Sequence, residues 1–260
     1  MMTSPAIAID GVSHRFSNVH VLEDVSLTVA PGEVLAIVGP SGCGKSTLLS
    51  IVGGLLNPTA GTVRVSSDVG ESLNALTFVF QDFALLPWKS VAANVAFPLE
   101  HRGLSRHARD QIVGDALRRT GLSDFASFFP KQLSGGMRQR VALARALAVK
   151  PAFLLMDEPL SALDSQTREI LMADLTALLD GTKISVIYVT HNLDEAVRLA
   201  DRVAIFSRRP GRVRSVFEVP IPRSQRTTDA AIAELARAQR SLWSSIREEA
   251  AEADREITHV

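Results

Sequence analysis

Apolar and polar positions change their spacing along the chain, and these changes predict its elements. In the first third, short apolar runs alternate with turns, which is typical of β-strands. Between about residues 90 and 150 the apolar spacing becomes helical. Beyond that, strand-like runs alternate with helical patterns, which favours an α/β fold with a mostly parallel sheet covered on both faces. The predicted strands are 6–9, 26–29, 34–38, 61–65, 76–80, 152–156, 184–190, 202–206 and 213–219, and the predicted helices are one ending near 55, then 91–99, 107–120, 136–148, 166–179 and 193–200.

The C-terminal part of the chain is predicted to be a helical tail. Pro220 and Pro222 break the chain after the last predicted strand, and a charged helix begins at about Asp229. Packing on its own domain is favoured for this helix over a partner-binding role, because amphipathic surface helices commonly cover a core. The apolar stripe of the helix consists of Ile232, Leu235, Leu242, Trp243 and Ile246.

Composition and charge narrow the class of protein. A hydrophobic content of 46% over 260 residues allows a substantial core. Basic and acidic residues number 28 each, so no net field draws the chain to nucleic acid or to an anionic membrane surface. No basic segment precedes a long apolar stretch at the start, and no run is apolar enough to span a bilayer, so we expect a cytosolic protein. Its single cysteine rules out an internal disulfide.

A glycine-rich run follows the strand predicted at 34–38. Its sequence, Gly39-Pro40-Ser41-Gly42-Cys43-Gly44-Lys45-Ser46-Thr47, has the form G-x-x-x-x-G-K-[ST]. Glycines let successive backbone N–H groups curl around phosphate oxygens, and the lysine reaches the terminal phosphates. The run therefore predicts a nucleoside triphosphate site. Cys43 precedes a helix whose dipole would favour a thiolate, but we expect a small residue that fits a tight loop and does no chemistry.

A pair of carboxylates ends a later apolar strand. Asp157 and Glu158 follow Phe153-Leu154-Leu155-Met156. Asp157 would hold Mg²⁺ directly or through water, and Glu158 would polarise the attacking water as a general base. A solvated turn or helix cap is the other interpretation of such a pair. The presence of Lys45 and Ser46 elsewhere in the chain favours phosphate chemistry.

A second glycine-rich run lies at the start of the helix predicted at 136–148. In Leu133-Ser134-Gly135-Gly136-Met137, the serine and glycines precede several arginines. A helix N-terminus offers N–H groups and a positive dipole to an anion. Taken alone, however, such a run is more often a plain loop and helix cap.

In this order and spacing, the motifs resemble the ATP-binding subunit of an ABC transporter over about residues 7–217. The resemblance implies a P-loop NTPase (RecA-like) core with a mostly parallel sheet, an antiparallel β subdomain and an inserted helical subdomain. It assigns the nucleotide-binding core to residues 1–89 and 150–220 and the helical subdomain to 90–149, with 221–260 as the tail. It also implies ATP and Mg²⁺ as ligands, and ATP hydrolysis coupled to the opening and closing of a dimer.

The resemblance assigns roles to individual residues. The loop residues Gly39 to Thr47 would hold the phosphates, with Lys45 at the γ-phosphate and Ser46 on Mg²⁺. Asp157 would hold Mg²⁺, Gln81 would sense the metal and the lytic water, Glu158 would be the catalytic base and His191 would contact the γ-phosphate. Ser134, Gly135 and Gly136 of one subunit would close over the nucleotide of the other, and Asp164 would lie in the loop that crosses the interface.

Two of these residues keep a second interpretation. Phe16 matches the aromatic residue that stacks on adenine, but it could equally belong to the core. A single histidine at a strand end is more often a surface or capped residue, and its place after Tyr188-Val189-Thr190 favours the switch role for His191.

The resemblance also implies partners. These are a second ATP-binding subunit, with a homodimer expected, membrane permease subunits and, indirectly, an extracytoplasmic solute-binding protein; no nucleic acid is expected. Residues 83–88 would receive the permease or bury Trp88 within the insert. The sequence of residues 207–212 and 220–223 resembles that found in the ATP-binding subunits of importers of nitrate, sulfonates and taurine. The chain would then act at the cytoplasmic face of the inner membrane.

Two other functions remain open from the sequence. The first is a non-transport ABC ATPase that acts on a macromolecular complex, although the chain shows one cassette and no basic stripe. The second is a P-loop kinase or small-molecule transferase. That function would explain Lys45 but would leave His191 and the Ser134 motif without a purpose.

Overall fold

The computed structural model describes residues 6–67, 72–180, 182–226 and 228–258 and divides into two units, 1–67 with 185–260, and 68–184. Residues 1–5, 68–71 and 181 of the predicted core, and 227, 259 and 260 of the predicted tail, lie outside the described residues. The division into core, insert and tail was predicted from functional motifs, and it stays a prediction.

The strands are β1 (Ile7–Phe16), β2 (Val19–Val29), β3 (Val34–Val38), β4 (Ala60–Val65), β5 (Leu76–Val79), β6 (Phe153–Asp157), β7 (Ser185–Val189), β8 (Arg202–Phe206) and β9 (Val213–Glu218). The helices are α1 (Lys45–Val52), α2 (Val91–Ala96), α3 (Arg106–Arg119), α4 (Gly135–Ala148), α5 (Ser165–Leu179), α6 (Leu193–Leu199) and α7 (Asp229–Thr258), with 3₁₀ turns at Phe97–Leu99, Ser123–Phe125, Pro130–Gln132 and Arg223–Gln225.

The first unit contains a parallel sheet with an antiparallel edge. β3 pairs in parallel with β7 on one side and β8 on the other, and β8 pairs antiparallel with β9. Every residue of β3 and of β7 is buried, as expected for central strands of a sheet covered on both faces. The predicted α/β class, the parallel sheet and the hairpin at 202–219 are confirmed.

An antiparallel sheet of order β2-β1-β4 completes this unit. The predicted strands 6–9 and 26–29 form only parts of the much longer β1 and β2. Polar residues such as His20, Glu23 and Asp24 interrupt the apolar pattern of β2, so a count of apolar residues misses the remainder of the strand. The implied antiparallel β subdomain is confirmed.

Helix α1 ends at Val52, before the predicted end near residue 55. Gly54 has φ +70°, and its N–H donates to the Ile51 carbonyl, while the N–H of Leu55 donates to the carbonyl of Ser50. This is the Schellman arrangement, in which a left-handed glycine ends a helix and satisfies its last carbonyls.

The tail helix α7 packs against α6. Its buried face consists of Ala231, Leu235, Ala238 and Leu242. The predicted stripe was therefore right at Leu235 and Leu242 but wrong at Ile232 and Trp243, which are 58% and 54% exposed. Ala231 and Ala238 lie at helical spacing with Leu235 and Leu242 and form part of the buried face. The larger Ile232 and Trp243 lie outside this face.

The second unit combines the parallel pair β5–β6 with a helical layer. Helices α2, α3 and α4 share one apolar core, which includes Val95, Leu117 and Val141. The implied helical subdomain therefore has a core of its own. Within the part of the chain that the structure describes, no helix has the length and apolarity needed to cross a membrane.

Candidate functional site

The glycine-rich loop connects β3 to α1 in the first unit. Gly44 is the N-cap of α1 with φ +102°, and a Cβ there would lie 2.6 Å from Leu22 Cδ2. A Cβ on Gly39 would lie 2.9 Å from both Cβ and the carbonyl oxygen of Phe206. Both positions therefore require glycine, one for its backbone conformation and both for space. The first turn of α1 carries no acidic residue, so the helix dipole is available to an anion.

Lys45 is 5% exposed and lies inside this loop. Its Nζ donates to the carbonyl oxygens of Gly39, at 2.9 Å, and Pro40, at 3.0 Å. The ammonium group therefore lies in the loop beside the N-terminus of α1, which favours anions. Phosphate oxygens are able to replace the two carbonyl oxygens as acceptors of its hydrogen bonds. Cys43 is buried, and burial raises the pKa of its thiol. That direction supports a packing role for Cys43 without a reactive thiolate.

Gly211 is a residue of this region that sequence reasoning did not assign to the loop. Its N–H donates to the Val21 carbonyl at 2.8 Å, and its own carbonyl accepts from the Glu23 N–H at 3.0 Å. A Cβ at Gly211 would overlap the carbonyl oxygen of Cys43. The segment before β9 therefore supports the phosphate loop from outside. The sequence of this segment indicates only a Pro-Gly turn, and a turn signal does not tell which part of the chain the turn contacts.

His191 follows β7 at the same sheet edge as the phosphate loop, because β7 and β3 are parallel neighbours. It is exposed, and the residues around it are held by a hydrogen-bond network. The buried carboxylate of Glu195 accepts from Tyr188 Oη at 2.8 Å and from Thr190 Oγ1 at 2.7 Å. The Asn192 side chain caps α6 by accepting from the Asp194 N–H at 2.9 Å. Sequence reasoning missed Glu195 because no motif indicates that its side chain turns back to Tyr188 and Thr190.

Phe16 lies at the end of β1 and is 48% exposed. The core interpretation of this residue is therefore wrong. Its ring packs edge-on against the imidazole of His14, with centroids 4.6 Å apart, and stacking on adenine stays a prediction.

The second unit carries the two carboxylates. Asp157 is the last residue of β6, and Gln81 follows β5 at the same edge of this parallel pair. Glu158 has φ +44°, a conformation that costs a non-glycine residue roughly 1–3 kcal/mol and concentrates at functional sites. The carbonyl of Glu158 accepts from Ser161 Oγ at 2.8 Å and from the Ser161 N–H at 3.2 Å. These two bonds hold the turn that presents the Glu158 side chain.

The Ser134 motif forms the N-terminus of α4 in the same unit. Ser134 is the N-cap, and its Oγ accepts from the Met137 N–H at 3.3 Å. A Cβ at Gly136 would lie 2.6 Å from Thr167 Cγ2 of α5, and one at Gly135 would lie 3.2 Å from Leu163 Cδ2. The glycines therefore allow α4 to approach the start of α5 closely. Ser134 itself is exposed.

Asp164 has a local role that sequence reasoning did not give it. Its Oδ1 accepts from the Thr167 N–H at 2.9 Å, so that it caps α5. Hydrogen bonds from Thr167, chiefly the one from its backbone N–H, lower the pKa of the Asp164 carboxyl group. A place at a subunit interface stays a prediction for this residue.

The predicted metal ligands have chemistry that fits Mg²⁺. The Ser46 hydroxyl, the Asp157 carboxylate and the Gln81 amide are oxygen donors, and Mg²⁺ is commonly held by one or two carboxylates together with phosphates and water. Among the described residues, no group of three or more His, Cys, Asp or Glu could hold a metal. Hydroxyl, carboxylate and amide oxygens of this kind suit a cation that is shared with a phosphate ligand.

Comparison with known proteins gives consistent matches. A family profile described as ABC transporter matches residues 22–161. The chain is 44% identical over 236 residues to the aliphatic sulfonates import ATP-binding protein SsuB 1 of Xanthomonas axonopodis pv. citri, with 89% of this chain and 93% of that protein covered. It is 43% identical over 216 residues to the spermidine/putrescine import ATP-binding protein PotA of Pseudomonas aeruginosa, with 82% and 59% covered. A solved dimeric post-hydrolysis state of an ATP-binding cassette bound to ADP and phosphate matches with a TM-score of 0.71 at 33% identity, over 83% of this chain and 100% of that one.

Proposed function

This chain belongs to the ABC transporter family and is an ATP-binding cassette ATPase, and we propose that it powers a membrane importer of a small solute such as a sulfonate, taurine or nitrate. The observation that carries the proposal is the 44% identity to a sulfonate-import ATP-binding protein, 93% of which the match covers. The spermidine/putrescine relative is matched over only 59% of its length. The sulfonate group of importers is therefore the better guide to the solute.

We assign the first step, phosphate binding, to the loop at 39–47. Its backbone N–H groups and the positive end of α1 bind the phosphate oxygens, and Lys45 turns its ammonium group from the loop carbonyls to the γ-phosphate. Ser46, Asp157 and Gln81 would hold Mg²⁺, which would supply charge neutralisation on the β- and γ-phosphates. Phe16 presents its exposed ring to the adenine base.

We assign the alignment of the lytic water to Glu158 and His191. Glu158 accepts the proton of that water as general base, and the hydrogen bonds from Ser161 to its carbonyl hold it in place. His191 donates to the γ-phosphate from a segment that the Glu195 network holds. Phosphoryl transfer depends mainly on such alignment and charge stabilisation, so a rigid support for both side chains contributes directly to the rate.

The proposed active assembly contains two copies of this chain. The exposed hydroxyl of Ser134 accepts a backbone hydrogen bond and keeps its own proton available to donate to a phosphate of the partner's nucleotide. Asp164 would contact the partner from the turn before α5. The dimeric state of the solved relative supports this arrangement. Hydrolysis would therefore wait for closure of the second subunit.

We place the permease contact on the segment 83–88, which precedes α2. Trp88 is 71% exposed, so the interpretation that buries it is not supported. The segment is nevertheless held in place, because the Asn94 side chain bonds both backbone groups of Leu86 and Arg145 donates to the carbonyls of Phe83 and Ala84. A rigid segment with an exposed aromatic ring is suited to receive a helix of a membrane subunit. The chain would then act at the cytoplasmic face of the inner membrane, with a solute-binding protein outside.

Reconstitution tests this proposal. The chain is combined in vesicles with permease subunits and a solute-binding protein encoded beside its gene, and uptake of labelled taurine, ethanesulfonate and spermidine is measured. We expect ATP-dependent uptake of taurine or ethanesulfonate that is lost with Glu158→Gln. Uptake of spermidine alone would contradict the solute class, and ATP hydrolysis that no permease stimulates would contradict the importer role.

A further inference from the structure

A groove of about 500 Å³ lies between the start of α6 and the middle of α7. Its lining residues are His191, Asn192, Leu193, Gln239, Arg240 and Trp243. The volume falls within the range that small-molecule sites occupy in proteins. Neither the phosphate loop nor the segment 83–88 contributes to it.

Both walls of this groove are held by contacts that do not involve a ligand. The buried face of α7, which includes Leu235 and Leu242, fixes the helix on its unit. Arg226, just before α7, donates to the carbonyls of Ile221, at 2.8 Å, and Arg198, at 3.0 Å, and so ties the tail to the end of α6. The other wall is fixed by the Asn192 cap. The groove is therefore preformed, which reduces the entropy cost of binding.

The charge of the lining is positive. No Asp or Glu lines the groove. The nearest carboxylates on α6 are engaged elsewhere, because Asp194 pairs with Arg198 at 3.2 Å and Glu195 accepts from Tyr188 and Thr190. The guanidinium of Arg240 has no ion pair within the described residues. An anion is therefore the ligand charge that the groove favours.

The remaining lining is apolar and aromatic. The indole of Trp243 is 54% exposed, although it belongs to a helix that buries smaller residues on its other face. Leu193 adds an aliphatic surface on the opposite wall, and Gln239 adds an amide. An exposed indole beside an arginine accommodates a ligand with a flat or apolar body and one charged end.

We propose that this groove binds a small organic anion with an apolar body, such as an alkanesulfonate or alkanecarboxylate, through Arg240 and the face of Trp243. The anionic end pairs with the guanidinium, and the body lies between the indole and Leu193. Because His191 forms part of the same wall, an occupied groove hinders the histidine from reaching the γ-phosphate. Occupancy then lowers the rate of ATP hydrolysis, a consequence that rests on the proposed role of His191.

The binding claim is tested without nucleotide, so its failure is separate from failure of the importer proposal. In a ¹H–¹⁵N correlation spectrum of the full chain, the two tryptophans, Trp88 and Trp243, give two indole cross-peaks, which Trp243→Phe assigns. Hexanesulfonate is titrated, with hexanol as the body without charge and sulfate as the charge without body. We expect a saturable shift of the Trp243 peak with hexanesulfonate alone and a stationary Trp88 peak.

Two arginine variants on α7 complete the test. Arg240→Gln should weaken hexanesulfonate binding by roughly fivefold or more, as expected for loss of a charge-assisted contact. The control is Arg237→Gln, which removes an exposed arginine that does not line the groove and should leave binding unchanged. Equal shifts with hexanol or sulfate, no saturable shift, or equal weakening by both variants would overturn the proposal. As a second readout, hexanesulfonate should slow ATP turnover of the wild type more than that of Arg240→Gln.

Discussion

Gly211 lies so close to the carbonyl oxygen of Cys43 that a single added methyl group would overlap it. The backbone of Gly211 is fixed on both sides by hydrogen bonds to β2. The phosphate loop is therefore supported by a turn that lies far from it in the sequence. The contact gives the 207–212 segment a structural purpose beyond its resemblance to one group of importers.

Gly211→Ala should weaken ATP binding by about tenfold, because overpacking against backbone costs roughly 1–3 kcal/mol and here displaces the loop itself. The measurement is a titration with a fluorescent ATP analogue, with thermal unfolding in parallel. Gly114→Ala is the control, since a Cβ there meets only Arg118 Nη1 at 3.6 Å and alanine favours the interior of α3. Wild-type affinity in Gly211→Ala would remove the loop-supporting role.

Tyr188→Phe should lower kcat about fivefold and leave KM nearly unchanged. The substitution removes one hydroxyl, so Glu195 loses a donor and the segment that carries His191 is held less firmly. Steady-state ATP hydrolysis measures both constants. In a His191→Ala background the same substitution should have no further effect on kcat, and a full additional loss there would show that Tyr188 acts by another route.

Stability should depend on pH through Glu33, which directly precedes β3. Burial raises its pKa above 4.5, while the hydrogen bond from the Ala30 N–H and the charge of Arg202 act in the opposite direction. Since the folded pKa exceeds the unfolded one, the contribution of Glu33 is fully present below about pH 4.5 and is lost as pH rises through the folded value. In urea unfolding, the free energy of unfolding of the wild type should fall relative to that of Glu33→Gln as pH rises from 4.5 to neutral. A rise in the relative free energy of unfolding of the wild type over that range would contradict a raised pKa for Glu33 in the folded protein.

Leu86→Asp should leave ATP binding intact and abolish co-purification with the permease. Its backbone is held by Asn94, so the substitution changes the surface of the 83–88 segment and leaves its position unchanged. Leu55→Asp is the matched control, because Leu55 is an exposed leucine of the other unit. Pull-down of both variants from cells that express the permease provides the measurement. Equal recovery of the permease with Leu86→Asp and Leu55→Asp would move the contact elsewhere.

The sequence was informative where a residue's own backbone or charge determines its role. Gly44 and Lys45 follow from what a phosphate loop requires, and the wholly apolar β3 and β7 follow from burial on two faces. It was uninformative where a role depends on a distant partner, as for Gly211 against Cys43. The apolar stripe of α7 was partly wrong because Ala231 and Ala238 are buried while the larger Ile232 and Trp243 are exposed. Residue size alone does not tell which face of a helix meets the core.

The central claim is that the site on one subunit is completed by a second subunit. Glu158→Gln removes the proposed general base, so ATP should remain bound and the closed form should accumulate. Light scattering coupled to size-exclusion chromatography should give twice the monomer mass with ATP and the monomer mass without it. Adding Ser134→Arg should return the ATP-bound Glu158→Gln protein to a monomer. A Glu158→Gln protein that binds ATP tightly and stays monomeric at every concentration would contradict the account.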